Sequence, residues 1–198
     1  EAKTDLKGEE LQKAMEQTQA VIEERVNQMG LAEPVVTIEG DKRIRVELPG
    51  AEDAQEAIEQ IGKTAQLQFA LADGTIVLDG GSVKDASVTT DQDSAGYAVA
   101  LEFDSKGADA FYEATVKAYS GAVQSSVEGV NNDAIMILLD NQIISAPSVN
   151  KGPISGGKCT ITGNFSQEEA SNLTALIKGG ALPLTLEEVN SSVQSAKI

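Results

Sequence analysis

The sequence predicts an α+β fold in which a discontinuous base subdomain carries an inserted α+β head subdomain. Three observations support this prediction. Residues 8–71 have the periodicities of helix, strand, strand, helix and strand, in that order. Residues 72–179 contain two similar halves, each with three strands followed by a helix. A last strand pattern, "ALPLTLEEV", follows Gly179 and Gly180, and we expect it to pair with the elements at the start of the chain.

The spacing of apolar residues predicts the elements of the base. The helix 8–29 has one apolar stripe, and Gly30 follows it, where a glycine commonly ends a helix. In "DKRIRVELPG" apolar and charged residues alternate, which is the period of a half-buried strand. The segment 51–62 predicts a short helix, and "TAQLQFAL" predicts a strand. The stripe of the first helix consists of Leu11, Met15, Ile22, Val26 and Met29.

The elements of the head occur twice in the same order. We expect helix 105–120 to bury a face that includes Phe111, and we expect Ser166 and Glu169 to form a capping box at the start of the second helix. The first half is predicted to contain strands 75–79, 83–88 and 97–103 and helix 105–120. The second half is predicted to contain strands 134–139, 142–145 and 158–162 and helix 166–178.

This order of elements places the domain boundaries. The base subdomain is predicted to comprise residues 1–71 plus 180–198, and the inserted head subdomain residues 72–179. The head is expected to move about two short links, and the glycine pair at the exit is the kind of position where a hinge occurs. The candidate hinge residues are Leu71, Asp73, Gly74, Lys178, Gly179 and Gly180.

Two similar stretches, "IVLDGGSV" and "ILLDNQII", raise the question of a paired aspartate site. Asp79-Gly80 and Asp140-Asn141 lie between short β-rich runs, which favours two hairpin turns. The alternative is a catalytic carboxylate pair, which normally needs a pocket or a partner that perturbs the carboxylates. We therefore interpret both aspartates as turn residues. On this interpretation Asp140→Asn costs little, whereas Asp140→Val costs about 1–3 kcal/mol.

Composition and charge exclude several classes of protein. The formal net charge of −16 repels phosphate backbones and anionic membrane surfaces, so we expect no nucleic-acid partner. The chain has no histidine and a single cysteine, Cys159, so it contains no Ser-His-Asp, Cys-His or His-Zn site and no internal disulfide. Neither a calcium loop nor a phosphate loop is present. We expect no catalytic residue, cofactor or metal, and the chain is predicted not to be an enzyme.

Several blocks of the sequence carry a family resemblance. The segment "RVNQMGLAEPVVTIEGDKRIRVELPG" resembles the large extracytoplasmic domain of the SecD family of protein-export translocase subunits. So do "IGKTAQLQF", "AIMILLDNQIISAPSVN" and "GGKCTITGNFSQEEASNLTALIKGGALPLTLEEV". The resemblance extends from the first helix to Val189, and it departs in the tail "NSSVQSAKI". The chain is expected either to be a piece that lies between two membrane helices or to be a divergent member of the family.

The resemblance implies a fold and a function. It implies that the base is ferredoxin-like and that the head swings relative to it. It implies that the full-length protein is anchored in the cell membrane, with this domain soluble on the extracytoplasmic side. The expected partners are SecF, the SecYEG channel and unfolded exported polypeptides. The domain would bind or guide preproteins that emerge from the channel, and its movement would promote translocation driven by the proton gradient.

A binder of unfolded chains needs exposed aliphatic residues or an open strand edge. Pro147 occupies a position where an interior strand needs an N–H, so the strand in "IISAPSV" is predicted to be short or at an edge. The alternative function is a free-standing extracellular module that binds peptide or cell-wall glycan, although few aromatic residues are present for stacking on sugars. The candidate residues for client binding or head scaffold are Ile143, Ile144, Pro147 and Val149.

Overall fold

A computed structural model describes residues 1–30, 33–49 and 53–189 of the chain. The predicted tail after Val189 lies outside the described residues. In chain order the described elements are β1 (Ala2–Lys3), α1 (Gly8–Gln28), β2 (Val35–Glu39), β3 (Arg43–Glu47), α2 (Ala54–Ile61), β4 (Leu67–Leu71), β5 (Ile76–Asp79), β6 (Val83–Thr90), β7 (Tyr97–Phe103), α3 (Ser105–Tyr119), β8 (Ile135–Leu139), β9 (Gln142–Ser145), β10 (Lys158–Phe165), α4 (Gln167–Gly179) and β11 (Thr185–Leu186). The α+β class predicted from the sequence is confirmed.

The chain divides into two compact units. The first unit comprises Glu1–Thr64 together with Ala181–Ile198, and the second unit comprises Ala65–Gly180. The predicted boundary after Leu71 is therefore wrong by seven residues, because β4 pairs with β5 on one side and with β8 on the other. These ladders make β4 an interior strand of the second unit.

In the first unit, α1 packs on the β2–β3 hairpin. The predicted stripe of α1 is confirmed, because Leu11, Met15, Ile22 and Val26 are all buried. Strands β2 and β3 are antiparallel, and β1 pairs antiparallel with β11, which gives two two-stranded sheets. The N–H of Ala2 also donates to the carbonyl of Lys42 at 2.7 Å, just before β3. The ferredoxin-like description of the base stays a prediction.

In the second unit, two sheets and two helices share one core. One sheet has the strand order β5-β4-β8-β9, and the other has the order β10-β7-β6. Three phenylalanine rings meet in the core: the ring centroids of Phe69 and Phe103 are 5.4 Å apart, and those of Phe69 and Phe111 are 6.2 Å apart. Gly107, in the first turn of α3, allows the helix to approach Ser82, whose Cβ would lie only 2.6 Å from a Cβ at this position.

The repeat within the second unit is clearest in two strand–helix pairs. Strands β7 and β10 lie next to each other, and each leads directly into a helix. The predicted capping box of α4 is confirmed, with Ser166 and Glu169 bonded reciprocally. Asp104 caps α3 through the N–H of Gly107. The predicted hairpin at Asp79-Gly80 is wrong, because β5 and β6 belong to different sheets.

Candidate functional site

The chain passes between the two units at two peptide bonds. We call Thr64–Ala65 the first crossing and Gly180–Ala181 the second crossing. Next to the crossings, within the first unit, the N–H of Leu182 donates to the carbonyl of Thr64 at 2.9 Å. The segment that ends at the first crossing and the segment that follows the second crossing are therefore hydrogen-bonded to each other.

Arg25 holds the first-unit side of the first crossing. This residue lies on α1 and is 1% exposed. Its guanidinium donates to the carbonyl of Ile61 at 2.7 Å, to that of Thr64 at 3.1 Å, and to that of Lys63. Because charge-assisted hydrogen bonds are stronger than neutral ones, Arg25 fixes the path of the chain from the end of α2 to the crossing.

Asp140 holds the second-unit side of the same crossing. One carboxylate oxygen accepts the N–H of Ala65 at 3.1 Å, and the other accepts the N–H of Gln66 at 2.9 Å. The N–H of Asp140 donates to the carbonyl of Gln66 at 3.0 Å. Asp140 and Asn141 have φ of 49° and 68°, so the predicted two-residue hairpin turn between β8 and β9 is present.

The two aspartates of the repeated stretches differ in their contacts. The carboxylate of Asp79 accepts the N–H of Gly81 at 2.8 Å, which caps a short 3₁₀ turn at residues 80–82. Strand β4 separates β5 from β8, so Asp79 and Asp140 are about two strand spacings, or ~10 Å, apart. That separation is too large for a carboxylate pair that shares a proton. The carboxylate of Asp140 also makes long-range hydrogen bonds, which the interpretation as a simple turn residue omitted.

Only one of the two predicted hinge links lies where the chain passes between the units. Leu71, Asp73 and Gly74 form the turn between β4 and β5: the N–H of Gly74 donates to the carbonyl of Leu71 at 2.9 Å, and the N–H of Thr75 donates to the Asp73 carboxylate at 3.0 Å. They lie inside the second unit, so they do not link the units. The second predicted link does coincide with a crossing.

The three residues predicted at the second link occupy different positions at the end of α4. Lys178 and Gly179 belong to the last turn of α4, and Gly180 follows with φ of 83° and ψ of 171°. That backbone conformation is essentially restricted to glycine. Gly180 is therefore the residue of the predicted Gly-Gly pair whose conformation requires glycine.

A cavity of about 210 Å³ lies in the second unit. Of the four candidate residues for client binding or head scaffold, Pro147 and Val149 line this cavity. Ile143 and Ile144 lie on β9, which is a four-residue edge strand, as predicted. Ile143 is exposed, and Ile144 packs against the core. The remaining lining residues are Phe111, Ile135, Ser148, Ile154, Lys158, Cys159 and Thr160.

Ile154, which lines this cavity at the protein surface, was not predicted from the sequence. Ile154 is 40% exposed, and its N–H donates to the Thr115 hydroxyl at 2.9 Å, which anchors the loop after Lys151 to α3. Because the segment "KGPISGG" has no periodicity, nothing in its pattern indicates where the isoleucine packs. The only local signal is a large apolar residue in a glycine-rich loop.

Cys159 is half-buried beside the cavity, and burial raises the pKa of its thiol to about 12. Since the thiolate is the reactive form, and a thiolate of higher pKa is intrinsically more nucleophilic, alkylation at pH 8 should be roughly a hundredfold slower than for an ordinary thiol of pKa about 8.5. The reaction of the chain with iodoacetamide, followed by mass spectrometry, measures this rate. The chain unfolded in urea is the control and should react at the ordinary rate; equal rates for both would contradict the assignment.

The acidic turn between β6 and β7 is held together by local hydrogen bonds. The Asp91 carboxylate accepts the N–H of Asp93 at 3.0 Å and the hydroxyl of Ser94 at 2.9 Å, which closes the turn between β6 and β7. Across residues 1–30, 33–49 and 53–189, no cluster of three or more potential metal ligands is found. None of the helices in the described part of the chain has the length and apolarity that a bilayer crossing requires.

Comparison with known proteins places the chain in a family. The family model described as the SecDF P1 head subdomain matches residues 52–184, and the one described as the N-terminal part of the P1 domain of protein translocase subunit SecDF matches residues 15–74. Protein translocase subunit SecD of Leptotrichia buccalis is 38% identical over 189 residues, which cover 93% of this chain and 43% of that protein. SecD of Acidaminococcus fermentans is 39% identical over 171 residues, covering 86% of this chain and 38% of that protein.

Solved structures agree with this relationship. A structure of SecDF, described as a membrane component that enhances protein export, matches with a TM-score of 0.76 and 28% identity and covers 97% of this chain and 98% of that chain. A crystal structure of SecDF in a super-membrane-facing form matches with a TM-score of 0.78 and 27% identity, covering 94% of this chain and 28% of that chain. The chain spans less than half of the length of the SecD relatives named above. The chain belongs to the SecD family and corresponds to the P1 region of these protein translocase subunits.

Proposed function

We propose that this chain is the extracytoplasmic part of a membrane-anchored SecD subunit and that it binds unfolded polypeptides as they leave the export channel. In this role it works by binding and movement and catalyses no reaction. SecF and the SecYEG channel are the proposed partners of the full-length protein, and the proton gradient is the proposed energy source. Membership of the SecD family favours this function over a free-standing peptide- or glycan-binding module.

The observation that carries the proposal is the apolar cavity of the second unit. Pro147, Val149, Ile154 and Phe111 line it, and its volume of about 210 Å³ is smaller than a typical pocket for a drug-sized ligand. A cavity of this size suits one apolar side chain of an extended polypeptide. Such contacts tolerate many sequences, which is what a protein that handles diverse exported chains requires.

Strand β9 offers a second type of contact. It is the last strand of its sheet, so one of its edges has no neighbouring strand in the sheet order. An extended polypeptide can add to such an edge through main-chain hydrogen bonds, which do not depend on the side chains of the client. The exposed Ile143, on the same strand, would add an apolar contact.

Site-specific photocrosslinking in the full-length subunit tests this proposal. A photoreactive residue at Ile154 should crosslink to an exported polypeptide stalled in the channel. The same residue at Gln92, which is exposed at the turn between β6 and β7 of the same unit, is the control and should give little product. Equal crosslinking from the two positions, or none from Ile154, would overturn the assignment of this cavity to the client.

A further inference from the structure

The hydrogen bonds of Asp140 connect a hairpin turn to the first crossing. Both carboxylate oxygens are used, one by the N–H of Ala65 and the other by the N–H of Gln66. These residues lie 75 and 74 positions earlier in the chain. A turn residue normally accepts hydrogen bonds from backbone groups two or three residues away, as Asp79 does. The contacts of Asp140 are therefore not explained by the formation of its own turn.

The residue that Asp140 contacts has an unusual backbone. Ala65 has φ of 53° and is 3% exposed. Residues other than glycine, asparagine and aspartate seldom occupy this left-handed region. Such conformations persist where the surrounding structure fixes them, and they concentrate in clamps and switch regions. Ala65 directly follows the peptide bond that joins the two units.

We propose that the Asp140 carboxylate is a latch that holds Ala65 in the left-handed conformation and thereby sets the backbone path of the first crossing. While both hydrogen bonds are present, the left-handed state of Ala65 is favoured. When they are lost, Ala65 relaxes toward the extended region that alanine prefers, and the direction in which the chain enters β4 changes. Asp140 is in this view a positioning residue of the crossing as well as a turn residue.

The chemistry of the contact requires a carboxylate. Two consecutive N–H groups point at two oxygens of one side chain, at 3.1 Å and 2.9 Å. Asparagine tolerates the turn's positive φ, but it presents one oxygen and one NH₂ group, which cannot accept the second N–H. Hydrogen bonds to an ionised acceptor are also stronger than neutral ones. On this proposal Asp140→Asn disturbs the crossing, whereas the interpretation as a turn residue alone predicts that it changes little.

Amide hydrogen exchange measured by NMR on this chain tests the latch. The main variant is Asp140→Gly, because glycine keeps the positive φ of the turn and removes both acceptors. Asn141→Gly is the matched control: Asn141 occupies the same turn with φ of 68°, and the substitution removes no hydrogen bond to the crossing. The amide of Ile135, which donates to the Pro147 carbonyl at 3.0 Å in the same unit, serves as the internal reference.

Relative to Ile135, the amides of Ala65 and Gln66 should exchange roughly tenfold faster or more in Asp140→Gly. They should change by less than about threefold in Asn141→Gly. The backbone chemical shifts of Ala65 should leave their left-handed values only in the Asp140 variant. If Ala65 keeps those shifts and both amides stay protected in Asp140→Gly, the latch does not exist.

A second variant covers the case in which Asp140→Gly does not fold. Asp140→Asn keeps the turn chemistry, and it should expose one of the two amides at the crossing while protecting the other. If the amides of Ala65 and Gln66 both stay as protected in Asp140→Asn as in the unmodified chain, the proposal is also contradicted. These measurements use this chain alone and involve no client, so they are independent of the proposed binding function.

Discussion

Replacement of the buried Arg25 by methionine should destabilise the first unit by about 1.5–3 kcal/mol, the range for losing a hydrogen bond to a charged group. Methionine keeps most of the apolar stem but leaves the carbonyls of Ile61, Lys63 and Thr64 without the guanidinium that now serves them. The hydrogen bond to the Ile61 carbonyl is buried, so its loss costs about 1–3 kcal/mol, whereas the Thr64 carbonyl keeps the N–H of Leu182 as a donor. Urea unfolding with amide exchange of Val26 as the local probe measures the loss.

Two control variants separate the hydrogen bonds from the charge. Arg25→Lys keeps the charge but lacks the planar fork of donors, so we expect an intermediate loss. Arg45→Met removes an exposed arginine of the same unit, which pairs with Glu39 and Glu47 on the surface, and it should cost less than about 1 kcal/mol. If Arg25→Met costs no more than Arg45→Met, the buried guanidinium does not stabilise the path to the crossing.

The helical spacing of Arg25 indicated that it is buried, but its charge favoured an exposed position. Arg25 lies three residues after Ile22 and four before Met29, on the stripe that was predicted to be buried. Charged residues are almost never fully buried unless they are paired, so composition favours an exposed position. The carbonyls to which it donates lie at the end of α2 and just after it, more than thirty residues away, and no side-chain pattern marks them. Periodicity therefore predicted the helix and its buried face but not the role of this residue.

The same limit explains the errors at the domain boundary and at the aspartates. The pattern "TAQLQFAL", residues 64–71, correctly predicted a strand, which the structure has at Leu67–Leu71. Alternation does not reveal which strands lie on either side of it. The register with β5 and β8 decides that the strand belongs to the second unit. Likewise, Asp-Gly and Asp-Asn carry the same turn chemistry locally. The contacts of Asp140 with Ala65 depend on pairing across 75 residues, which local sequence does not specify.

Replacement of Phe69 by alanine should destabilise the second unit by about 3–5 kcal/mol, the usual cost of removing a large aromatic residue from a core. Phe69 is 0% exposed, and its ring contacts those of Phe103 and Phe111 edge-on. Alanine removes both aromatic contacts and leaves a cavity that an interior strand, paired on both sides, cannot close by moving. Tyr112→Ala on α3, where Tyr112 is 42% exposed, is the control and should change stability by less than about 1 kcal/mol.

The positions at which Phe69→Ala lowers amide exchange protection test the assignment of β4 to the second unit. Because Phe69 lies in the core formed by β4, β7 and α3, its loss should lower the exchange protection of the Ile137 amide in β8. The amide of Val26 in α1 should keep its protection, since Val26 belongs to a separate hydrophobic cluster of the first unit. A loss of protection at Val26 with Ile137 unchanged would place β4 with the first unit, as the sequence pattern alone suggested. Equal losses of exchange protection at both amides would mean that the two units unfold together as one cooperative unit.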